Sequence, residues 1–336
     1  MIKIKGIKGL MLVVVLWSCN SCQSDKKPPK KLSDPPKETV SISVPVFSSD
    51  SAYSFIEKQV SFGPRVPATK THAACADWIE STLSSWGWVV QFQEAEIEGY
   101  DGPLQIKNII ASYKPEAEKR VLLCAHWDTR RMADQDSERK DEAILGADDG
   151  GSGVGIIMEI ARVVSQHGLN TGIEIVFFDA EDQGESNSPR PSKQTWCLGS
   201  QHWAANLHPM KSKPYFGILL DMVGFKNARF PLEGISRKRA QGIQQGVWQT
   251  AQKLGFSDLF VMEQKQDLVD DHLFINDIAR IPTIDIINLP TNPAANGTFG
   301  YYWHTHDDNM EIIGKNTLNA VGKTLIRYLY ERDVYN

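Results

Sequence analysis

The feature that most constrains this chain is a succession of short, nearly uninterrupted apolar runs, three of which stop at a polar, potentially reactive residue. Residues 107–113, 121–125, 173–178, 216–222 and 283–288 are such runs, rich in β-branched and aromatic side chains. Runs of that length without polar alternation predict strands covered on both faces. Between them, apolar residues recur at helical spacing: Ala76, Ile79, Leu83 and Trp86; Ile157, Ile160, Ala161 and Val164; Ile243, Val247, Ala251 and Leu254; Leu318, Val321, Leu325 and Leu329. Gly87 followed by Val89 and Val90 predicts a turn into a further strand. Strands alternating with amphipathic helices imply an α/β, single-domain, three-layer α/β/α architecture around a mixed, mostly parallel central sheet.

The chain has 336 residues, 41% of them hydrophobic, which supplies one large core over residues 46–336. A formal net charge of -5 argues against an electrostatic nucleic-acid binder, so no nucleic-acid partner is expected. Five cysteines are too few and too irregular for a disulfide scaffold. Cys75, Cys124 and Cys197 are expected either reduced or with one disulfide among them, and Cys124 reads as a small buried residue on a core strand.

At the N-terminus, Lys3, Lys5 and Lys8 precede an apolar run over 10–17. That run is long enough for a signal-peptide core and well short of the ~20 residues a spanning helix needs. It ends Leu16-Trp17-Ser18-Cys19, which resembles the bacterial lipobox, although Trp17 departs from the small or aliphatic residue usual there. The expectation is a lipoprotein signal peptide over 1–18, lipidation of Cys19 with Cys22 as the weaker alternative, and a flexible Lys/Pro-rich tether over 19–45. The protein would then be exported, held to a membrane by a lipid anchor and facing the periplasm.

The ends of the apolar runs carry the chemistry. They offer His126-Trp127-Asp128, Asp179-Ala180-Glu181-Asp182 and Asp221, while Gly146-Ala147-Asp148-Asp149-Gly150 opens a helix and Trp303-His304 follows a Gly/Asn/Pro-rich loop. Singly, each has an ordinary explanation: Asp148 or Asp149 as a helix cap, His126 as a core histidine, Glu181-Asp182 as solvated surface. Together they form a His/Asp/Glu set without thiolates, which suits zinc with an open coordination position.

In order and spacing these motifs resemble the zinc-dependent exopeptidase superfamily. Within it, Trp303 directly before His304, Asp270-Asp271-His272 and Trp196-Cys197-Leu198-Gly199-Ser200 resemble the glutaminyl-peptide cyclotransferases (glutaminyl cyclases), especially bacterial lipoprotein-type members. The resemblance implies one zinc per chain held by Asp149, Asp182 and His304, with Glu181 as proton shuttle. It also implies a hydrogen-bonded carboxylate network of Asp221 and Asp270, which are expected to share a proton, and pocket walls of Trp196 and Trp303. His126 would serve a second metal or a structural role. Substrates would be peptides and exported proteins with N-terminal Gln, and a monomer is expected. Three departures from the animal enzymes stand out: Asp182 where they have Glu, Asp285 in place of their network histidine, and no matching cysteine pair.

The main alternative is a two-zinc aminopeptidase, with His126 and Asp221 holding a second metal bridged by Asp149 and with Glu181 deprotonating a metal-bound water. A non-catalytic binding lipoprotein is a third reading, disfavoured by the intact ligand set. The cyclase is preferred because an indole at 303 would crowd an extended peptide. The loops over 184–195 and 290–300 are expected to rim and shape the pocket.

Overall fold

A six-stranded sheet runs in the order β1 (Val89–Glu98), β2 (Pro103–Tyr113), β4 (Gly172–Phe178), β3 (Arg120–His126), β5 (Gly217–Asp221) and β8 (Thr283–Ile287). The β3–β4, β3–β5 and β5–β8 pairings are parallel, whereas β1–β2 and β2–β4 are antiparallel. The sheet is thus mixed and mostly parallel, as the apolar runs predicted. This computed structural model describes residues 43–186, 194–294 and 297–335, all within one unit spanning Ile42–Asn336. The expected signal peptide, Cys19 and nearly all of the tether lie outside the described residues.

Every residue of β3, β4, β5 and β8 is buried, which explains why these strands read as continuous apolar runs. The edge strand β1 is half-exposed throughout. Helices α1 (Ser49–Ser61), α2 (Lys70–Ser85), α3 (Gly151–His167), α6 (Gln241–Lys253) and α8 (Lys315–Tyr335) supply apolar side chains to the large core. A smaller cluster on other strand positions joins Leu122, Cys124, Val176 and Leu219 to Trp203 of α4 (Leu198–Ala205). Opposite faces of the sheet therefore feed separate apolar clusters, the three-layer arrangement. Each buried Leu, Ile or Phe contributes about 1.5–3 kcal/mol.

Several elements were not legible beforehand. Helix α1 has only Ala52, Ile56 and Gln59 buried, too sparse a stripe to register as periodicity. The short parallel pair β6 (Phe230–Leu232) and β7 (Phe260–Gln264), and the short helices α5 (Gly234–Arg239) and α7 (Asp271–Phe274), are fixed by tertiary packing rather than by local pattern. Cys75, Cys124 and Cys197 are buried free thiols, so no disulfide joins them. No described helix is long and apolar enough to cross a membrane.

Candidate metal centre and active site

Parallel strands deliver their C-terminal ends to one edge of the sheet, and the polar motifs meet there. His126 closes β3, Asp221 closes β5, and the turn after β4 presents Glu181 and Asp182. Three non-glycine residues at these turns are left-handed: Ala180 (φ 50°), Met222 (φ 46°) and His304 (φ 57°). Such strain persists only where surrounding structure imposes it, and here it marks the residues that aim Glu181, Asp221 and His304 into the cavity.

Asp149 and Asp148 are not helix caps. The position before α3 is Gly150, left-handed at φ 35° and without a side-chain cap bond. A Cβ on Gly150 would press on the His126 carbonyl and ring, so a glycine is required for the helix start to approach β3 this closely. The Asp148 carboxylate instead accepts from the Gly224 N–H at 2.6 Å and the Tyr302 O–H at 2.6 Å. Asp308 accepts from the backbone N–H groups of Asp148 (2.7 Å) and Asp149 (3.1 Å), locking the turn that carries the ligand.

Asp149, Asp182 and His304 each present a ligand atom within 4.8 Å of one another, and all three residues are buried. His304 Nε2 lies 2.9 Å from Asp182 Oδ1 and 3.9 Å from Asp149 Oδ2. Its Nδ1 is 2.9 Å from Asp134 Oδ1, an arrangement that fixes the ring and directs the Nε2 lone pair inward. Asp149 Oδ2, Asp182 Oδ2 and His304 Nε2 are buried without hydrogen-bond partners. Burial and the Asp149 charge push the Asp182 carboxyl up, against the pull of His304. Burial opposes protonation of His304, yet Asp182 and Asp134 draw its proton affinity upward. Two oxygens and one imidazole nitrogen converging unsatisfied in a field that favours a cation fit zinc.

A second set shares Asp149. His126 Nε2 is 3.0 Å from Asp149 Oδ1 and 3.3 Å from Asp221 Oδ1, and His126, Asp149 and Asp221 also converge within 4.8 Å. The Gly150 N–H points at the same nitrogen from 3.1 Å. Burial disfavours the imidazolium, but the carboxylates of Asp128, Asp149 and Asp221 around the ring hold the His126 pKa well above the usual range.

Beside the metal-ligand set lies a cavity of about 890 Å³, lined among others by Glu181, Asp221, Asp270, Trp196, Phe299 and Trp303. Asp270 faces it, whereas Asp271 is fully buried behind it. Burial drives the Glu181 carboxyl well above the ordinary range, with Asp182, Asp271 and Asp270 reinforcing and His126 opposing. Burial likewise pushes Asp221 up to about 8, helped by the charges of Asp270 and Asp149 and opposed by His126. Asp270 acts on Asp221 through its charge, and its carboxylate converges with His272 and Asp285 to within 4.8 Å. Asp285 is thus drawn into the network from β8. The indoles of Trp196 and Trp303 lie nearly parallel to the His304 ring, at 12° and 20°, with centroids 5.8 and 3.5 Å away. Loop residues Glu185, Ser186, Thr298 and Phe299 line the cavity, so the described parts of both expected rim loops reach it.

Sequence reasoning gave no role to the residues that hold this set in place, although Asp128 and Cys197 lay inside motifs it singled out. Asp128 accepts from the backbone N–H groups of Glu181 (3.1 Å) and Asp182 (3.3 Å) and from the Gln183 amide. Arg65, fully buried, donates to the carbonyls of Trp127, Leu145 and Gly146, clamping two ligand loops together. The Cys197 thiol lies 3.2 Å from Glu181 Oε1. Asp134 and Arg130 sit in an irregular loop with no periodicity to single them out; only the His-x-Asp turn offered any signal.

This fold, with a carboxylate–imidazole cluster at the C-terminal strand edge, defines a metal-dependent exopeptidase-like enzyme, and residues 108–329 match the family model of Peptidase family M28. A glutaminyl cyclase from Porphyromonas gingivalis is 50% identical, with a TM-score of 0.82 over 85% of this chain and 99% of that one. A Bacteroides thetaiotaomicron glutaminyl cyclase, solved bound to N-acetylhistamine, is 47% identical, with a TM-score of 0.82 over 86% and 99%. A protein from the same organism described as a leucine aminopeptidase precursor is also 47% identical, with a TM-score of 0.81 over 86% and 99%. The chain belongs to family M28 and, within it, to the glutaminyl cyclases.

Proposed function

We infer that this chain converts the N-terminal glutamine of peptides and exported proteins to pyroglutamate, releasing ammonia. The observation that carries this reading is the placement of two indoles, Trp196 and Trp303, against the metal-ligand set in the same cavity as Glu181, Asp221 and Asp270. Asp149, Asp182 and His304 would hold one zinc, which when bound supplies Lewis-acid polarisation of the side-chain amide carbonyl. Glu181 takes a proton as the α-amine attacks the amide carbon, then returns it to the departing nitrogen as the C–N bond breaks. Its raised proton affinity helps it hold the proton between the two steps. Asp221 and Asp270 accept hydrogen bonds from the substrate's nitrogen groups and hold it against the cavity floor. Trp196 and Trp303 hold the folded side-chain rotamer that ring closure needs, an entropic contribution paid on binding.

Ammonia release from a Gln-initiated dipeptide, with about one zinc per chain, tests the reading. Zinc near two per chain, together with hydrolysis of a leucyl anilide, would replace it with the aminopeptidase, which the His126–Asp149–Asp221 convergence favours. We further propose export through residues 1–18 and lipid anchoring at Cys19, holding a monomer to the membrane facing the periplasm. Incorporation of labelled fatty acid that is lost in Cys19→Ala supports this; unchanged labelling moves the anchor to Cys22.

A further inference from the structure

We propose that Arg130 is a positioning residue that fastens the substrate wall and the metal ligands into one unit, so that a single guanidinium sets both zinc affinity and substrate binding. The residue is almost fully buried, at 1% exposure. Its Nη1 donates to the carbonyl of the ligand Asp182 at 2.7 Å and to that of Gly184 at 3.1 Å. Its Nε and Nη2 grip the two oxygens of Asp134 at 3.1 and 2.8 Å, and Nη2 also donates to Ser186 Oγ at 2.7 Å. Asp134 in turn orients the ligand His304 through Nδ1. The guanidinium carbon of the same residue lies over the Trp196 ring, 4.6 Å from its centre.

Planarity is what makes this possible. A guanidinium can donate in its plane to a carboxylate and carbonyls while its face stacks on an indole; an ammonium offers charge without a plane. Trp196 also packs against the cluster of Cys197, Ile235, Leu273 and Phe274, so the indole is held by an apolar bed as well as by the cation. Losing the guanidinium would therefore release Trp196 and loosen His304 and Asp182 together. Asp134, by contrast, touches His304 but not the indole, which separates the two effects.

The role in substrate binding rests on the cyclase reading, whereas the role toward zinc does not. The test uses the full chain with Arg130→Lys and Asp134→Asn. Three quantities are measured: zinc affinity by competition with a chromophoric chelator, the melting temperature of the metal-free protein, and KM and kcat for a Gln dipeptide at saturating zinc. Both variants should weaken zinc by about 10- to 100-fold, as outer-shell partners of metal ligands do. Arg130→Lys should also raise KM by about threefold to tenfold through loss of the planar guanidinium over Trp196, while Asp134→Asn raises it by less than about twofold. Wild-type zinc affinity in Arg130→Lys overturns the proposal. So does an equal rise in KM in both variants, which would report general loosening of the loop. A wild-type chain that binds zinc but releases no ammonia would instead refute the cyclase reading and leave the zinc comparison intact.

Discussion

Gly184→Ala displaces the wall of the pocket while leaving every proposed metal ligand in place. A methyl group on Gly184 would overlap Cγ, Cδ2 and Cε2 of Trp196, each well inside 3.0 Å. Carbon atoms rest at about 3.5–4.0 Å, so the indole must retreat by more than about 1 Å. It has little freedom to do so, because Arg130 covers one face and Leu273 and Phe274 pack against the residue. Strain of this kind destabilises by about 1–3 kcal/mol. Substrate displaced by about 1 Å from its reactive geometry loses on the order of 10²-fold in rate, so kcat/KM for a Gln dipeptide should fall by that factor while zinc stays bound. The assay pairs ammonia release with zinc per chain in Gly184→Ala, Trp196→Ala and the double variant. With the indole gone the methyl meets nothing from it, so the double variant should match Trp196→Ala alone. Wild-type kcat/KM in Gly184→Ala, or an equal further loss in the Trp196→Ala background, would refute the reasoning.

Glu181→Gln should retain zinc and lose about 10²–10⁴-fold in kcat, whereas His304→Ala should lose zinc itself; metal analysis beside turnover separates them. Stability of the metal-free chain should fall as pH rises between roughly 5 and 8, because folded Asp221 keeps a proton up to about 8 that the unfolded chain has already released. Zinc should flatten that slope, and melting temperatures of chelated and loaded protein across the range decide it. Tyr302→Phe removes the O–H that donates to Asp148 at 2.6 Å and accepts from Asn288 at 3.0 Å, and should destabilise by about 1–3 kcal/mol in denaturant titration.

The buried strands were legible because parallel strands covered on both faces must be apolar along their whole length, and β3, β4, β5 and β8 obey that. The residues at their ends were legible for the same reason: a His or Asp closing such a run sits on a rigid support at the sheet edge where loops gather. His126, Glu181, Asp182, Asp221 and Asp149 all emerge at that edge, and His304 joins them from its loop. Tertiary structure alone decided what holds them. Asp134 reaches His304 across 170 positions of sequence, and Arg130 reaches Gly184 and Trp196 through a loop with no repeating pattern. It also decided that Asp270 and Asp285 converge within 4.8 Å, and that Gly184 is small because an indole lies on it. Periodicity records which side chains must leave water. Which polar groups then meet depends on loop paths, and those are fixed only when the whole core has closed.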